Sequence, residues 1–337
     1  MKIAVITINQ PSLDAAGRLL GVLGEHDVDV YGKAGLAHSL ERLHTYKKLD
    51  DILPDAWKHY DAIIAILAMG AVVRKIAPLL EDKATDPAVI VINLALDKIV
   101  PLLSGHLGGA NALADTLAQR LPNCINFIST ATDQTKTLAF EMLAQERGWQ
   151  IANLKALARI SNRLINKQPV KVATYPTLFK SIPDKTHLTH VGFEHIDEDT
   201  VVIAPHIQSD ALTLKPPVTL GMGCNRDTPF ALLKEAFEAF LTKHHLTKAS
   251  IAGIASFEAK KDEAGLLALA KAYDLPIHFY DKAKINALEA TFSPSASTKF
   301  FGLKGVAEPS AVLGSVYKEL VIKKEVYNKA ITIAGAI

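Results

Sequence analysis

The sequence predicts an α/β protein, with two α/β domains built on mainly parallel sheets and a small irregular region between them. Three observations predict it. Short β-branched runs, such as residues 3–8, alternate with longer stretches of helical period, the pattern of strands wrapped by helices. Between Pro169 and Pro217 the prolines thicken and only short apolar runs remain. After Lys215-Pro216-Pro217, a stiff segment that ends regular structure, the alternation resumes. The 337 residues allow about two domains at roughly 150 residues each, and a 49% hydrophobic content fills more than one core. The expected divisions are 1–136, 137–215 and 216–337.

The elements follow in order. Residues 3–8 read as a buried strand and 12–23 as a helix with Ser12 as its cap. Strands are expected at 28–31, 61–67, 89–93, 99–103 and 124–128, with helices at 71–80 and 109–121. The stretch 138–158 is helical in pattern and broken by Gly148; strands follow at 170–175, 187–193 and 200–204. Beyond the prolines, strands are expected at 218–222, 249–255, 277–280, 320–323 and 330–333. Helices are expected at 229–243, 263–272, 281–290 and 307–316, the first with Thr228 as cap and Pro229 in its first turn. Residues 291–304 form a polar loop.

Composition narrows the function. The net charge of +2 carries no basic excess of the kind nucleic-acid binding requires. The longest apolar run, 62–73, falls short of the ~20 residues of a membrane helix. The opening strand is too short and too β-branched for a signal peptide. Two cysteines, Cys124 and Cys224, cannot make a disulfide framework and fit a reducing cytoplasm. A small-molecule ligand, no nucleic acid, no membrane and a homodimer are the expectations.

Three glycine-rich turns stand where a strand hands over to a helix, at the strand ends where parallel sheets collect ligands. Free N–H groups at helix starts favour anions there. The first turn, Ser104-Gly105-His106-Leu107-Gly108-Gly109-Ala110-Asn111, lacks dinucleotide spacing but brings Ser104, His106 and Asn111 to one mouth. The second, Gly221-Met222-Gly223-Cys224-Asn225-Arg226-Asp227-Thr228, offers Arg226 as a carboxylate or phosphate clamp. Cys224 there reads as a buried structural thiol. In the third, Gly302-Leu303-Lys304-Gly305-Val306-Ala307-Glu308, Lys304 can bind an anion and Glu308 can move a proton. Arg74 is a further anion contact, and Lys260-Lys261-Asp262-Glu263 can be a mere capping cluster. The densest histidine group, His187, His190, Glu194, His195 and His206, has no metal-site spacing, so no metal site is expected.

Residues 68–80 (Ala68-Met69-Gly70-Ala71-Val72-Val73-Arg74-Lys75-Ile76-Ala77-Pro78-Leu79-Leu80), the 104–111 turn, Ala131-Thr132-Asp133, the 221–228 turn, Lys260–Leu266 and Gly305-Val306-Ala307-Glu308-Pro309 together resemble the CbiG family. Asn225 and Asp227 depart from that pattern, where arginine and glycine are expected. The resemblance implies a cobalt-precorrin-5A hydrolase of anaerobic cobalamin biosynthesis. Such an enzyme opens a δ-lactone on a cobalt corrinoid, releases acetaldehyde and leaves cobalt-precorrin-5B. It needs no cofactor, because cobalt enters with the substrate. On this resemblance His106, Glu308 and Ser104 are the catalytic candidates, His106 as base because imidazole exchanges protons near neutrality. The N–H groups of Gly108 and Gly109 are candidate oxyanion donors. Arg74, Gly105, Gly108, Gly109, Asn111, Thr132, Asp133, Gly223, Arg226 and Lys304 are the candidate substrate contacts. A non-catalytic corrinoid carrier is the alternative function.

Overall fold

A computed structural model describes residues 1–337 apart from 39, 83–84, 130–136, 296–297 and 299–301. The chain divides into two compact units, Met1–Thr137 and Leu138–Ile337. Both are α/β with mainly parallel sheets, as the alternation predicts.

The first unit holds strands β1 (Lys2–Ile6), β2 (Asp27–Lys33), β3 (Leu43–Tyr46), β4 (Ala62–Ala65), β5 (Ala88–Ile92), β6 (Lys98–Leu103) and β7 (Ile125–Asn126). Its helices are α1 (Gln10–Leu20), α2 (Leu53–His59), α3 (Met69–Ile76) and α4 (Ala110–Arg120). The sheet order is β3-β2-β1-β4-β5-β6-β7, and every pairing is parallel except β5 with β6. Period-two alternation decides what each face buries. Ile3, Val5, Ile64 and Ile90 pack beneath Leu13 and Leu19 of α1 and Leu113 and Leu117 of α4. Ala4, Ile6, Ile63 and Val89 pack beneath Leu53 of α2 and Val72 and Ile76 of α3. Each such large aliphatic side chain contributes roughly 1.5–3 kcal/mol by leaving water.

Several local expectations are corrected. Ser12 is not the cap of α1. Asn9 is: its side chain accepts from Ser12 N–H at 3.0 Å, and the Ser12 hydroxyl accepts from Asn9 N–H at 3.1 Å. Two elements absent from the sequence reading, β3 and α2, lie in the polar stretch 43–59, whose exposed faces mask their period. The expected strand at 124–128 shortens to Ile125–Asn126, the edge of the sheet.

The second unit carries two five-stranded sheets. The stretch expected to be a small irregular module forms the first, in the order β10-β9-β11-β12-β8. Its strands are β8 (Gln150–Ala152), β9 (Val170–Thr174), β10 (Leu188–Val191), β11 (Thr200–Ile203) and β12 (Leu212–Lys215); only the β12–β8 pairing is antiparallel. Helices α5 (Phe140–Glu146), α6 (Leu157–Ile165) and α7 (Pro176–Ser181) accompany it. The prolines that suggested irregularity stand at element ends, Pro176 opening α7 and Pro169 preceding β9.

The second sheet runs β15-β14-β13-β17-β16, with β13 (Val218–Cys224), β14 (Ile251–Phe257) and β15 (Ile277–Tyr280) parallel. The hairpin of β16 (Leu320–Tyr327) and β17 (Ile331–Ala336) adds to β13 in antiparallel sense. Helices α8 (Phe230–Lys243), α9 (Ala264–Ala272), α10 (Lys282–Ala287) and α11 (Ala307–Gly314) complete it. Thr228 does not cap α8. Pro229 takes the cap position, and the Thr228 hydroxyl donates to Asn225 O at 2.8 Å, closing the turn before the helix. Both sheets share one core, from Val172 and Val201 to Leu220, Phe237 and Ile333.

Helix α11 lies unusually close to β13. A β-carbon added at Gly221 would stand 1.8 Å from Ala307 O, backbone that cannot move without shifting the helix. Gly221→Ala is therefore expected to lower the unfolding free energy by about 2–3 kcal/mol or more, as overpacking does. Gly24→Ala, with nothing within 4 Å of the added carbon, should change it by no more than about 0.5 kcal/mol. Urea denaturation of both variants checks this; equal stability would show that α11 does not depend on the glycine.

Candidate active site

In the first unit the glycines of the 104–111 turn serve the turn itself. Ser104 takes a left-handed φ of 55° and Gly109 one of 82°. A β-carbon at Gly108 would lie 2.4 Å from that of Ser104, and one at Gly105 would lie 2.8 Å from Asn111 Oδ1. Asn111 is buried, and its N–H donates to Gly105 O at 2.9 Å. Gly109 N–H donates to His106 O at 3.0 Å, so it is committed to the turn rather than offered as an oxyanion donor. The Ser104 hydroxyl donates to Asp86 O at 2.9 Å. Asp86 stands just before β5, and β6 runs opposite to β5, which brings the end of β6 to the start of β5. The turn therefore sits at the end of the sheet where β1, β4 and β5 begin, not where they finish. At the finishing end is a separate cleft of about 520 Å³ lined by Ile8, Leu67, Ala68 and Leu94, among others. Arg74 is exposed in the last turn of α3, its guanidinium donating to Gly70 O at 2.9 Å. Thr132 and Asp133 lie outside the described residues.

The second unit brings the other two glycine turns together. A cleft of about 450 Å³ opens at the carboxyl ends of β13 and β14. Gly223, Cys224 and Asn225 line it from β13 and the turn that follows, and Phe257, Ala259 and Lys260 from β14 onward. Pro294, Ser295 and Val306 close another side. The β16–β17 hairpin supplies Lys324, Val326, Lys329, Ala330 and Thr332. Gly223 is small of necessity, since a β-carbon there would meet Thr332 Oγ1 at 2.7 Å and Val306 at 3.3 Å. Burial pushes the Cys224 thiol above its ordinary pKa, which keeps it protonated and a poor nucleophile.

The cations of this cleft differ from those the sequence suggested. Arg226 is spent on Asp262, whose two oxygens it meets at 2.6 and 3.1 Å. Lys304 donates through Nζ to Leu288 O and through its backbone to Asn286 Oδ1. Neither lines the cleft. Lys260 does, although its ammonium also meets the buried Glu263 at 3.1 Å. Lys324 and Lys329 line it from the hairpin and escaped the sequence reading. Their signal was slight: Asn328-Lys329 is a turn dipeptide, and both residues take left-handed φ (50° and 54°), which aims the turn. Val326, 60% exposed, adds an apolar wall. At Asp227 the backbone takes a left-handed φ of 58°, a geometry that favours glycine.

Glu308 is not poised for proton transfer. Only 2% exposed, it accepts from Ser293 N–H (2.6 Å), the Ser293 hydroxyl (2.8 Å) and Lys324 N–H (2.8 Å). Burial opposes its ionisation, but these donors and the Lys324 charge outweigh burial and hold the carboxyl below its ordinary 4.5. It is a carboxylate at neutral pH with no proton to give. In the histidine-rich stretch, His190 Nε2–H donates to Thr174 O at 2.9 Å and the ring stacks on Phe179. Among the described residues no three His, Cys, Asp or Glu side chains converge as metal ligands, and no helix is long and apolar enough to cross a membrane.

The lowered Glu308 value sets a pH dependence. Its contribution to stability is fully present above pH 4.5 and is lost as pH falls through the lower folded value. Glu308→Gln should cost about 2 kcal/mol or more at pH 7, the worth of hydrogen bonds to a buried charge. The gap between wild type and variant should narrow as the pH drops below 4.5. Denaturation across that range checks it, and a gap independent of pH would contradict it.

Three family models match in succession: "Cobalamin synthesis G N-terminal" over residues 51–133, "Cobalamin biosynthesis central region" over 138–216 and "Cobalamin synthesis G C-terminus" over 218–336. A cobalt-precorrin-5A hydrolase of Priestia megaterium is 28% identical over 359 residues, covering 98% of this chain and 94% of that protein. Another from Salmonella typhimurium strain LT2 is 32% identical over 271 residues, covering 77% of each chain. A crystal structure of a cobalamin biosynthesis protein G homologue from Sulfolobus solfataricus aligns over 99% of this chain and 96% of its own, at 21% identity and a TM-score of 0.40. By its three matched regions and these relatives, the chain belongs to the CbiG family of cobalamin biosynthesis proteins.

Proposed function

We propose that the chain is a cobalt-precorrin-5A hydrolase: it opens the δ-lactone of a cobalt corrinoid and releases acetaldehyde, giving cobalt-precorrin-5B. The observation that carries the reading is the cleft at the ends of β13 and β14. A corrinoid presents a broad apolar face and a rim of acetate and propionate carboxylates. Phe257, Val306 and Val326 suit the face, and the ammonium groups of Lys260, Lys324 and Lys329 suit the carboxylates. The Priestia and Salmonella relatives, which carry this enzyme's name, support the same reading.

In this proposal water attacks the lactone carbonyl and the ring oxygen leaves as a hydroxyl. Loss of the hydroxyl proton then forms the carbonyl of acetaldehyde while the pair of the breaking C–C bond passes to the macrocycle. Cobalt is part of the substrate, and no separate cofactor takes part. His106 takes the proton from water, and Ser104 is the further catalytic candidate. Arg74, Asn111, Thr132 and Asp133 remain proposed substrate contacts. The enzyme works in the cytoplasm on a small molecule, with no nucleic-acid or membrane partner, and as a homodimer.

Anaerobic incubation with cobalt-precorrin-5A should release acetaldehyde, trapped as its hydrazone, in step with substrate loss. Corrinoid binding without aldehyde would point to a carrier instead. His106→Ala should lower turnover about 10²- to 10⁴-fold, as loss of a general base does, while the corrinoid still binds. Unchanged turnover would remove His106 from the mechanism.

A further inference from the structure

Glu308 joins two walls of the second-unit cleft. Ser293, which gives its carboxylate two hydrogen bonds, leads directly into Pro294 and Ser295 on one wall. Lys324, which gives it a backbone N–H, belongs to β16 on another. The Lys324 side chain reaches back to Pro294 O, so the loop is tied to the strand twice, by a carboxylate and by an ammonium. All three groups facing Glu308 are donors. Only an acceptor with no hydrogen of its own satisfies them together; an amide would turn N–H toward at least one. A buried charge is costly, and here the cost is met by donors from two segments, the 293–295 loop and β16.

We propose that Glu308 is a positioning residue: by fixing the 293–295 loop to the backbone of Lys324, it sets where the Lys324 ammonium stands to receive a carboxylate of the substrate. The inference rests on reading this cleft as the corrinoid site. An ammonium has three donors, so Lys324 can keep Pro294 O and take a substrate carboxylate as well. Glu308 itself touches neither substrate nor transferred proton.

The test is steady-state kinetics on cobalt-precorrin-5A with aldehyde trapping, for wild type, Glu308→Gln, Lys324→Met and the double variant. Each single change should raise KM about tenfold, the worth of one charge-assisted hydrogen bond, with kcat within about threefold of wild type. The double variant should be no worse than the weaker single one, because both remove the same contact. A collapse of kcat at unchanged KM in Glu308→Gln would make Glu308 a proton-transfer group and overturn the proposal; multiplicative effects would overturn it too. If Glu308→Gln does not fold, Ser293→Ala with Lys324→Met carries the same comparison, and additivity there overturns it equally. Wild-type protein that releases no aldehyde refutes the hydrolase reading instead. The variants are then compared by visible-absorbance titration with the same corrinoid, where a shared loss of affinity supports the positioning role and unchanged affinity overturns it.

Discussion

The second unit depends on how closely α11 lies against β13. The absence of a side chain at Gly221 lets Ala307 O approach the strand, and the absence of one at Gly223 leaves room for Val306 and Thr332. From that contact follow the seat of Val306 in the cleft and the burial of Glu308 one residue beyond Ala307. Once the helix start is fixed, the carboxylate can gather the 293–295 loop and the strand that carries Lys324. A methyl group at Gly221 would push the helix out, and one at Gly223 would crowd the Thr332 and Val306 side chains.

The first unit applies the same economy of space to a different end. Its 104–111 turn is held by left-handed Ser104 and Gly109 and by contacts within the turn too tight for any side chain at Gly108. The N–H groups of Gly109, Ala110 and Asn111 close the turn on itself, and the Ser104 hydroxyl ties it to Asp86 O. The single antiparallel pairing of β5 with β6 decides at which end of the sheet that turn stands.

The electrostatics of the second-unit cleft depend on which cations are already spent. Arg226 and Lys304 look like anion contacts in a linear reading because each follows a glycine turn. Folding gives Arg226 to Asp262 and Lys304 to Leu288 O, where they hold loops in place. Lys324 and Lys329 stand in or beside a strand whose only sequence signal is the Asn328-Lys329 turn dipeptide. They reach the cleft because the β16–β17 hairpin pairs in antiparallel sense against β13.

Much of the architecture was legible in the sequence. Alternation of β-branched runs with helical stretches predicts parallel α/β sheets, since strand faces bury with period two and helices with period 3.6. The glycine turns and the resemblance they carry point to the family. The polar faces of β3 and α2 hide their period, and the prolines of the central stretch mark element ends that only the sheet itself reveals. The direction of β6, the partners of Arg226 and Lys304 and the three donors on Glu308 were decided by the tertiary structure alone. Each is a choice among partners distant in sequence, and only packing brings those partners within hydrogen-bond reach.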